Sequence, residues 1–112
     1  MARTLITIPP RPQKDQVIEI RALIAHPMET GLRPDANGEV QAQNIIRRFE
    51  CRFSTNSTTT GELVFSAELF PAISANPYLA FSFRATQNGV LSFQWTGDKG
   101  FSQTETVVLT VV

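Results

Sequence analysis

The chain has 112 residues, 42% hydrophobic and 18% charged, and its ten basic and ten acidic residues give a formal net charge of zero. This is typical of one globular domain, which buries enough surface to fold without a metal ion or a disulfide bond. The balanced charge excludes the basic footprint of a nucleic-acid-binding protein, and no apolar stretch reaches the roughly 18 residues of a membrane helix.

Seven segments alternate apolar and polar residues with a period of two, which indicates β-strands rather than helices. In chain order they cover residues 4–8, 16–24, 44–53, 62–70, 78–85, 90–96 and 104–112. Six of them have a clear core-facing side: Ile18, Ile20, Ala22 and Ile24; Ile45, Phe49, Cys51 and Phe53; Leu63, Phe65, Ala67 and Leu69; Leu79, Phe81 and Phe83; Leu91, Phe93 and Trp95; Val107, Leu109 and Val111. We predict an all-β fold, an immunoglobulin-like antiparallel β-sandwich of about seven strands, as one domain over residues 1–112.

The connections favour antiparallel pairing of consecutive strands. TNSTTTG (55–61) is a polar hairpin tip, TGDKG (96–100) is a tight turn, and TQNG (86–89) contains Asn-Gly, a strong hairpin signal because both residues tolerate positive φ. The Cys…Trp…Cys pattern of antibody domains is absent, so the sequence supports the architecture and not that family.

The only cysteine is Cys51, in the segment RRFECRF. Alternation places it beside Phe49 and Phe53 on the core face of its strand, with charged residues on the other face. A thiol in apolar surroundings has a raised pKa and is a poor nucleophile, so we interpret Cys51 as a core residue. A reactive thiol, or a disulfide to a partner subunit, is the alternative.

His26, the only histidine, stands in AHPMETG. A metal site needs further imidazole or thiolate ligands, and the chain offers one cysteine, so we expect no metal and no cofactor. Superoxide reductases hold iron on an immunoglobulin-like sheet with several histidines and one cysteine, a set that this chain cannot supply. His26 before Pro27 is interpreted as a strand end, with contact to a partner as the alternative.

Other residues are candidates for the surface. The stretch ELFPAISANPYLAFSF (68–83) contains an unusually apolar connection around Pro71 and Pro77, which either plugs the sandwich end or docks a partner. Arg47, Arg48 and Arg52 are interspersed with Glu50, which favours a solvated face over a basic binding patch. Outward apolar residues are candidates for an interface: Val17, Val64, Phe70, Tyr78 and Val108.

Four stretches carry a resemblance to a known family. VIEIRALIAHPMETG, IIRRFECRF, GELVFSAELFPAISANPYLAFSF and GDKGFSQTETVVLTV resemble the Z subunit (SoxZ) of the SoxYZ thiosulfate-oxidation carrier complex, over nearly the whole chain from Thr4 to Val112. The resemblance implies a heterodimer or larger assembly with a SoxY-type subunit. The mobile C-terminal arm of that subunit bears a glycine-flanked cysteine that carries the sulfur intermediates.

What the resemblance implies about function is a set of expectations. This chain ends TVVLTVV without such a cysteine, so it resembles the non-carrying, non-catalytic partner that also meets other Sox enzymes transiently. Its N-terminus contains no visible signal peptide, and the family implies periplasmic export together with the partner. The predicted partner-binding residues are His26, Met28, Glu29, Phe70, Asn76 and Tyr78. The alternatives are a general β-sandwich binding module for another extracytoplasmic partner, and an enzyme.

Overall fold

The computed structural model of the protein describes residues 3–25, 32, 34, 36–40, 44–55, 61–69 and 77–112. These residues form seven strands and one 3₁₀ turn. The strands are β1 (Arg3–Thr7), β2 (Gln16–Ala25), β3 (Ile46–Ser54), β4 (Glu62–Glu68), β5 (Tyr78–Ala85), β6 (Gly89–Gly97) and β7 (Ser102–Leu109), and the turn is Asp98–Gly100. Each predicted strand is present, and its ends differ from the prediction by at most three residues; the largest difference is at β7, which ends three residues earlier than predicted.

The strands form two antiparallel sheets. One has the order β1-β2-β5 and the other has the order β4-β3-β6-β7. No α-helix occurs in the described part of the chain. The predicted immunoglobulin-like β-sandwich is therefore confirmed, with three strands in one layer and four in the other.

The core lies between the two sheets and follows the period of two. In β2 the buried and exposed residues alternate from Ile18 to Ile24, and in β6 Leu91, Phe93 and Trp95 are buried. The largest fully buried side chain is Trp95. Burial of a large apolar side chain contributes about 1.5–3 kcal/mol, so this double layer is the main source of stability.

Phenylalanine pairs join the two sheets. The rings of Phe65 on β4 and Phe81 on β5 are stacked, with centroids 4.5 Å apart and an interplanar angle of 4°. Phe49 on β3 lies 6.1 Å from Phe81, and Phe53 lies 5.3 Å from Phe83. These separations are in the range of favourable aromatic pairs, so the rings close the side of the sandwich where β4 faces β5.

A β-bulge at the start of β3 interrupts the alternation. Ile46 pairs with Gly97 and Arg48 pairs with Thr96, so Arg47 is the extra residue of β3 opposite β6. Because of it, Ile45 and Ile46 are both buried although they are consecutive, and Arg47 is exposed. Strict alternation from Ile45 would have turned Arg47 into the core, and the bulge prevents this.

A second bulge corrects the predicted orientation of β4. Cys51 pairs with Phe65 and Arg52 pairs with Leu63, which leaves Val64 as the extra residue. Leu63 was predicted to face the core but is 44% exposed, whereas Val64 was predicted to face outward but packs against the core. The extra residue reverses the inward and outward positions beyond it, as a one-residue shift in register does.

The connection between β5 and β6 is not the hairpin that Asn-Gly predicted. β5 pairs with β2, whereas β6 pairs with β3 and β7, so the connection crosses from one sheet to the other. Neither Asn88 nor Gly89 has a positive φ. The Asn88 Oδ1 instead accepts a hydrogen bond of 2.6 Å from the Val111 N–H. A Cβ on Gly89 would lie 2.5 Å from the Ser54 carbonyl oxygen, so glycine allows a close approach of two backbones here.

Other turns agree with the prediction. The strands that flank 55–61, β3 and β4, pair as a hairpin, although residues 56–60 lie outside the described ranges. β6 and β7 pair across the turn Asp98–Gly100, in which Lys99 and Gly100 have φ values of 59° and 72°. Both left-handed residues stand in the predicted TGDKG turn.

Candidate partner-binding surface

An apolar row crosses the outer face of the three-stranded sheet. Register places Leu23 of β2 directly between Leu5 of β1 and Tyr78 of β5. The next residues along these strands point to the core, so all three row residues share the outer face. Leu5 is 61% and Tyr78 is 54% exposed. A contiguous apolar surface rather than scattered apolar residues is typical of an interaction site.

Charged residues surround this row and are mostly positive. The Arg21 Nε lies 2.6 Å from the Glu19 Oε1, and this hydrogen bond, followed by the effect of Tyr78, raises the pKa of Arg21 above its usual value. Arg3 and Arg84 lie on the same face. The strand residues of this face therefore carry three positive charges and one negative charge, a surplus of two, in a chain whose net charge is zero.

The outer face of the four-stranded sheet is balanced. The Glu50 carboxylate accepts from the Arg48 Nε at 3.1 Å and from the Arg52 Nη2 at 3.0 Å. Arg48 also lies 3.6 Å from the Glu68 carboxylate. The hydrogen bond from Arg48, against a smaller opposing effect of burial, lowers the pKa of Glu50 below its usual value. The positive charges here are paired within the face, in agreement with the predicted solvated face.

Hydroxyl and amide side chains occupy much of the rest of that face. Alternation and register place these residues outward: Ser66, Ser92, Gln94, Thr96, Ser102, Thr104 and Thr106. These polar side chains form hydrogen bonds with water when exposed. Burying them against a partner would therefore contribute little binding free energy. Two exposed apolar residues of this sheet, Leu63 and Val108, lie on its opposite edge strands, β4 and β7, and so do not form a row. The apolar row therefore distinguishes the outer face of the three-stranded sheet.

The structure describes one of the six predicted partner-binding residues. Tyr78 is the first residue of β5 and belongs to the apolar row. The other five lie outside the described residues and remain predictions: His26, Met28, Glu29, Phe70 and Asn76. Phe70 was also predicted as an outward apolar residue, and this interpretation likewise stays untested.

The described apolar candidates for the outer faces have two outcomes. Val17 and Val108 are 55% and 72% exposed, as predicted, whereas Val64 packs against the core. The sequence interpretation missed Leu5 and Leu23. A signal was present, because alternation with Ile18, Ile20 and Ile24 turned Leu23 outward, but a single outward leucine does not reveal its neighbours on other strands.

Cys51 lies in the core, as predicted. It is 0% exposed and pairs with Phe65 on one side and Phe93 on the other. Burial raises the pKa of the thiol to about 12. The nucleophilic and metal-binding form of cysteine is the thiolate, so this thiol is inert at neutral pH. A disulfide to a partner would require the sandwich to open first.

The described residues form neither a metal cluster nor a membrane-spanning helix. In that part of the chain, no group of three or more His, Cys, Asp or Glu side chains is placed to hold a metal ion. Nor does any helix there have the length and apolar character needed to cross a membrane. The whole sequence contains one histidine and one cysteine.

Several solved structures share this fold. A superoxide reductase (neelaredoxin) from Ignicoccus hospitalis matches with a TM-score of 0.74 and 18% identity, over 97% of this chain and 80% of that chain. A variant of the enzyme from Archaeoglobus fulgidus, in its reduced form, matches with a TM-score of 0.66 and 16% identity, over 96% and 86%. The sulfur carrier protein SoxY from Chlorobium limicola f. thiosulfatophilum matches with a TM-score of 0.65 and 11% identity, over 97% and 78%. At these identities the likeness shows a common sandwich fold.

The family is shown by the sequence. No curated protein sequence matches the chain. The profile of the family described as "Sulphur oxidation protein SoxZ" matches residues 6–108, nearly the whole chain. The predicted resemblance is therefore confirmed: this chain belongs to the SoxZ family of the sulfur-oxidation (Sox) system.

Proposed function

We propose that this chain is the non-catalytic subunit of a SoxYZ-type carrier complex in thiosulfate oxidation. It binds and stabilises a SoxY-type subunit, whose cysteine carries the sulfur intermediates, and presents that subunit to the other Sox enzymes. Membership of the SoxZ family supports the role in sulfur oxidation. The fold shared with a SoxY protein supports an assembly of two related sandwiches.

The state of Cys51 is the observation that carries the non-catalytic role. A sulfur carrier that uses cysteine needs an accessible thiolate to form and release its adducts. The single cysteine of this chain is fully buried, and its pKa is about 12. This supports the proposal that the sulfur rides on a thiol of the partner and that this chain performs no covalent step.

Two packed sheets suit a supporting role. A group that moves between active sites needs a fixed base, and rigid elements hold such a base better than loops do. A subunit that binds only the folded form of its partner also stabilises it by mass action. These two effects, anchoring and stabilisation, are what the chain contributes to the complex.

We place the complex in the periplasm, with this chain exported while bound to its SoxY-type partner. The family resemblance supports this location. Cell fractionation tests it: the chain is expected in the periplasm when the SoxY-type subunit is co-expressed, and in the cytoplasm when that subunit is omitted. The same location in both cultures would contradict export with the partner.

The function itself is tested by reconstitution. Co-expression with the SoxY-type subunit of the same organism, purification through a tag on one chain and intact mass should give both chains without a covalent link. Thiosulfate oxidation with the other Sox enzymes should require both subunits. Cys51→Ser should keep the rate, and replacement of the carrier cysteine on the partner should abolish it.

Two outcomes would contradict the proposal. If Cys51→Ser abolished turnover with an unchanged melting temperature, the chain would carry sulfur itself. If the two subunits formed no complex, the chain would be a β-sandwich binding module for a different extracytoplasmic partner.

A further inference from the structure

We infer that the outer face of the sheet β1-β2-β5, centred on Leu5, Leu23 and Tyr78, is the surface that binds the SoxY-type subunit. The inference rests on the proposed function, because it names the surface on which that function depends. The partner is expected to present an apolar face with an acidic rim.

The apolar row supplies the centre of this surface. Leu5 and Tyr78 are more than half exposed and flank Leu23 in direct cross-strand register. Aromatic and large apolar side chains at the middle of an interface contribute most of its binding energy, and tyrosine is enriched among them. A depression of about 300 Å³, lined by Thr7 and Arg21 among others, adjoins the row and offers room for a partner side chain.

Charge identifies the kind of partner. Arg3, Arg21 and Arg84 against Glu19 leave this face with a surplus of two positive charges. A second copy of this chain would bring an equal surplus against it in a symmetric contact, and like charges across an interface oppose association. A different subunit with acidic residues at the rim of its contact surface would attract these arginines. The charge of the face therefore favours a partner other than a second copy of this chain.

The area of this face is sufficient for the centre of a standard protein interface. Three strands spaced about 4.8 Å apart and up to ten residues long, at about 3.4 Å per residue, span roughly 14 Å by 30 Å. That is about half of the roughly 800 Å² that one partner contributes to a standard interface. The sheet face therefore supplies the centre of the contact, and adjoining surface must supply the rest.

The test measures the dissociation constant for the SoxY-type subunit of the same organism with full-length variants of this chain. Leu5→Asp removes an apolar contact and places a carboxylate opposite an acidic rim, and Tyr78→Ala removes the aromatic ring. Both side chains are exposed, so melting temperatures should stay near that of the wild type. Each change is expected to raise the dissociation constant about 30-fold, as for a residue at the centre of an interface.

Val108→Asp is the matched control. Val108 is 72% exposed and lies on the outer face of the four-stranded sheet, so the substitution adds the same charge at a similarly exposed apolar position. It is expected to change the dissociation constant by less than about threefold, because rim or remote positions contribute little. Arg21→Gln should weaken the salt dependence of the association rate, whereas Lys99→Gln in the β6–β7 turn should not.

The outcomes separate this inference from the function on which it rests. If the wild-type chain binds no SoxY-type subunit, both fall. If it binds, and Leu5→Asp and Tyr78→Ala bind equally well or Val108→Asp is as damaging, the surface is wrong and the proposed function stands. A homodimer of the isolated chain that Leu5→Asp dissociates would assign the face to a second copy and overturn the inference.

Discussion

Arg47 and Asp98 form an ion pair between residues 51 positions apart in the chain, with the Arg47 Nε 2.5 Å from the Asp98 Oδ1. Arg47 is the extra residue of the β3 bulge, and Asp98 opens the turn after β6. The Asp98 Oδ2 also accepts the Ile45 N–H at 3.2 Å. The Asp98 carboxylate therefore binds both the Arg47 side chain, which the bulge turns outward, and the backbone N–H of Ile45 beside the bulge.

The Asp98 carboxylate should make stability depend on pH. The hydrogen bond from Arg47, with the Ile45 N–H and against an opposing effect of burial, lowers the pKa of Asp98 in the folded chain. A carboxyl whose pKa is lower when folded stabilises the fold above its unfolded value of about 3.9, and this is lost as pH falls through the folded pKa. Asp98→Asn should therefore lower the melting temperature at pH 7 and have little effect near pH 2.

Arg47→Gln checks the cause of that dependence. If the pair with Arg47 is responsible, this variant should also lose melting temperature mainly at neutral pH. If Asp98→Asn instead lowered the melting temperature by the same amount at pH 7 and at pH 2, the stabilising effect of Asp98 would come from its shape and not from its charge.

Cys51 should destabilise the fold at high pH. At neutral pH, Cys51→Ala should cost about 1–2 kcal/mol of unfolding free energy from the lost buried volume. The folded thiol has a pKa of about 12 and the unfolded thiol one near 8.5, so alkali favours the unfolded chain. The difference in unfolding free energy between the wild type and Cys51→Ala should therefore decrease by about 1.4 kcal/mol per pH unit above pH 9. Urea unfolding of both proteins at pH 7 and pH 10 measures this, and a constant difference would contradict the buried thiol.

Phe81 tests the register of β5. Its side chain is 9% exposed and stacks on Phe65 across the sandwich. Phe81→Ala should cost about 3–5 kcal/mol, because it removes the stacked pair and leaves a cavity. Ser82→Ala is the control, since Ser82 is exposed on the outer face and should cost less than about 0.5 kcal/mol. A larger effect at Ser82 in thermal melts would place the strand one residue out of register.

Gly97 should not tolerate a side chain. A Cβ there would collide with the Ile45 carbonyl oxygen and lie 2.9 Å from the Ile46 Cα, so the backbone of the β3 bulge must move. We expect Gly97→Ala to lower stability by about 1–3 kcal/mol. Gly100→Asn is the matched control in the same turn, because a Cβ there meets no heavy atom within 4 Å and asparagine tolerates its φ of 72°. Equal melting temperatures for the two variants would contradict the close approach.

Away from the two bulges, the local pattern of the sequence determined which residues face the core. Alternation is a property of each strand by itself, because successive side chains of an extended backbone point to opposite sides. It therefore placed Cys51 inside and Tyr78 outside without knowledge of any partner strand. The four quoted stretches, which include the segment around Cys51, likewise predicted the SoxZ family that the profile match confirms.

Only the tertiary structure decided which strands are neighbours. Asn88-Gly89 has the local preference of a hairpin, but β5 pairs with β2 and β6 pairs with β3 and β7, so the connection crosses between the sheets. The bulges at Arg47 and Val64 depend on partner strands in the same way. The row of Leu5, Leu23 and Tyr78 joins the consecutive strands β1 and β2 to β5, which is distant in sequence. Strand pairing depends on how the whole core packs, and so on contacts between residues far apart in the sequence. A local sequence pattern therefore does not predict which strands pair.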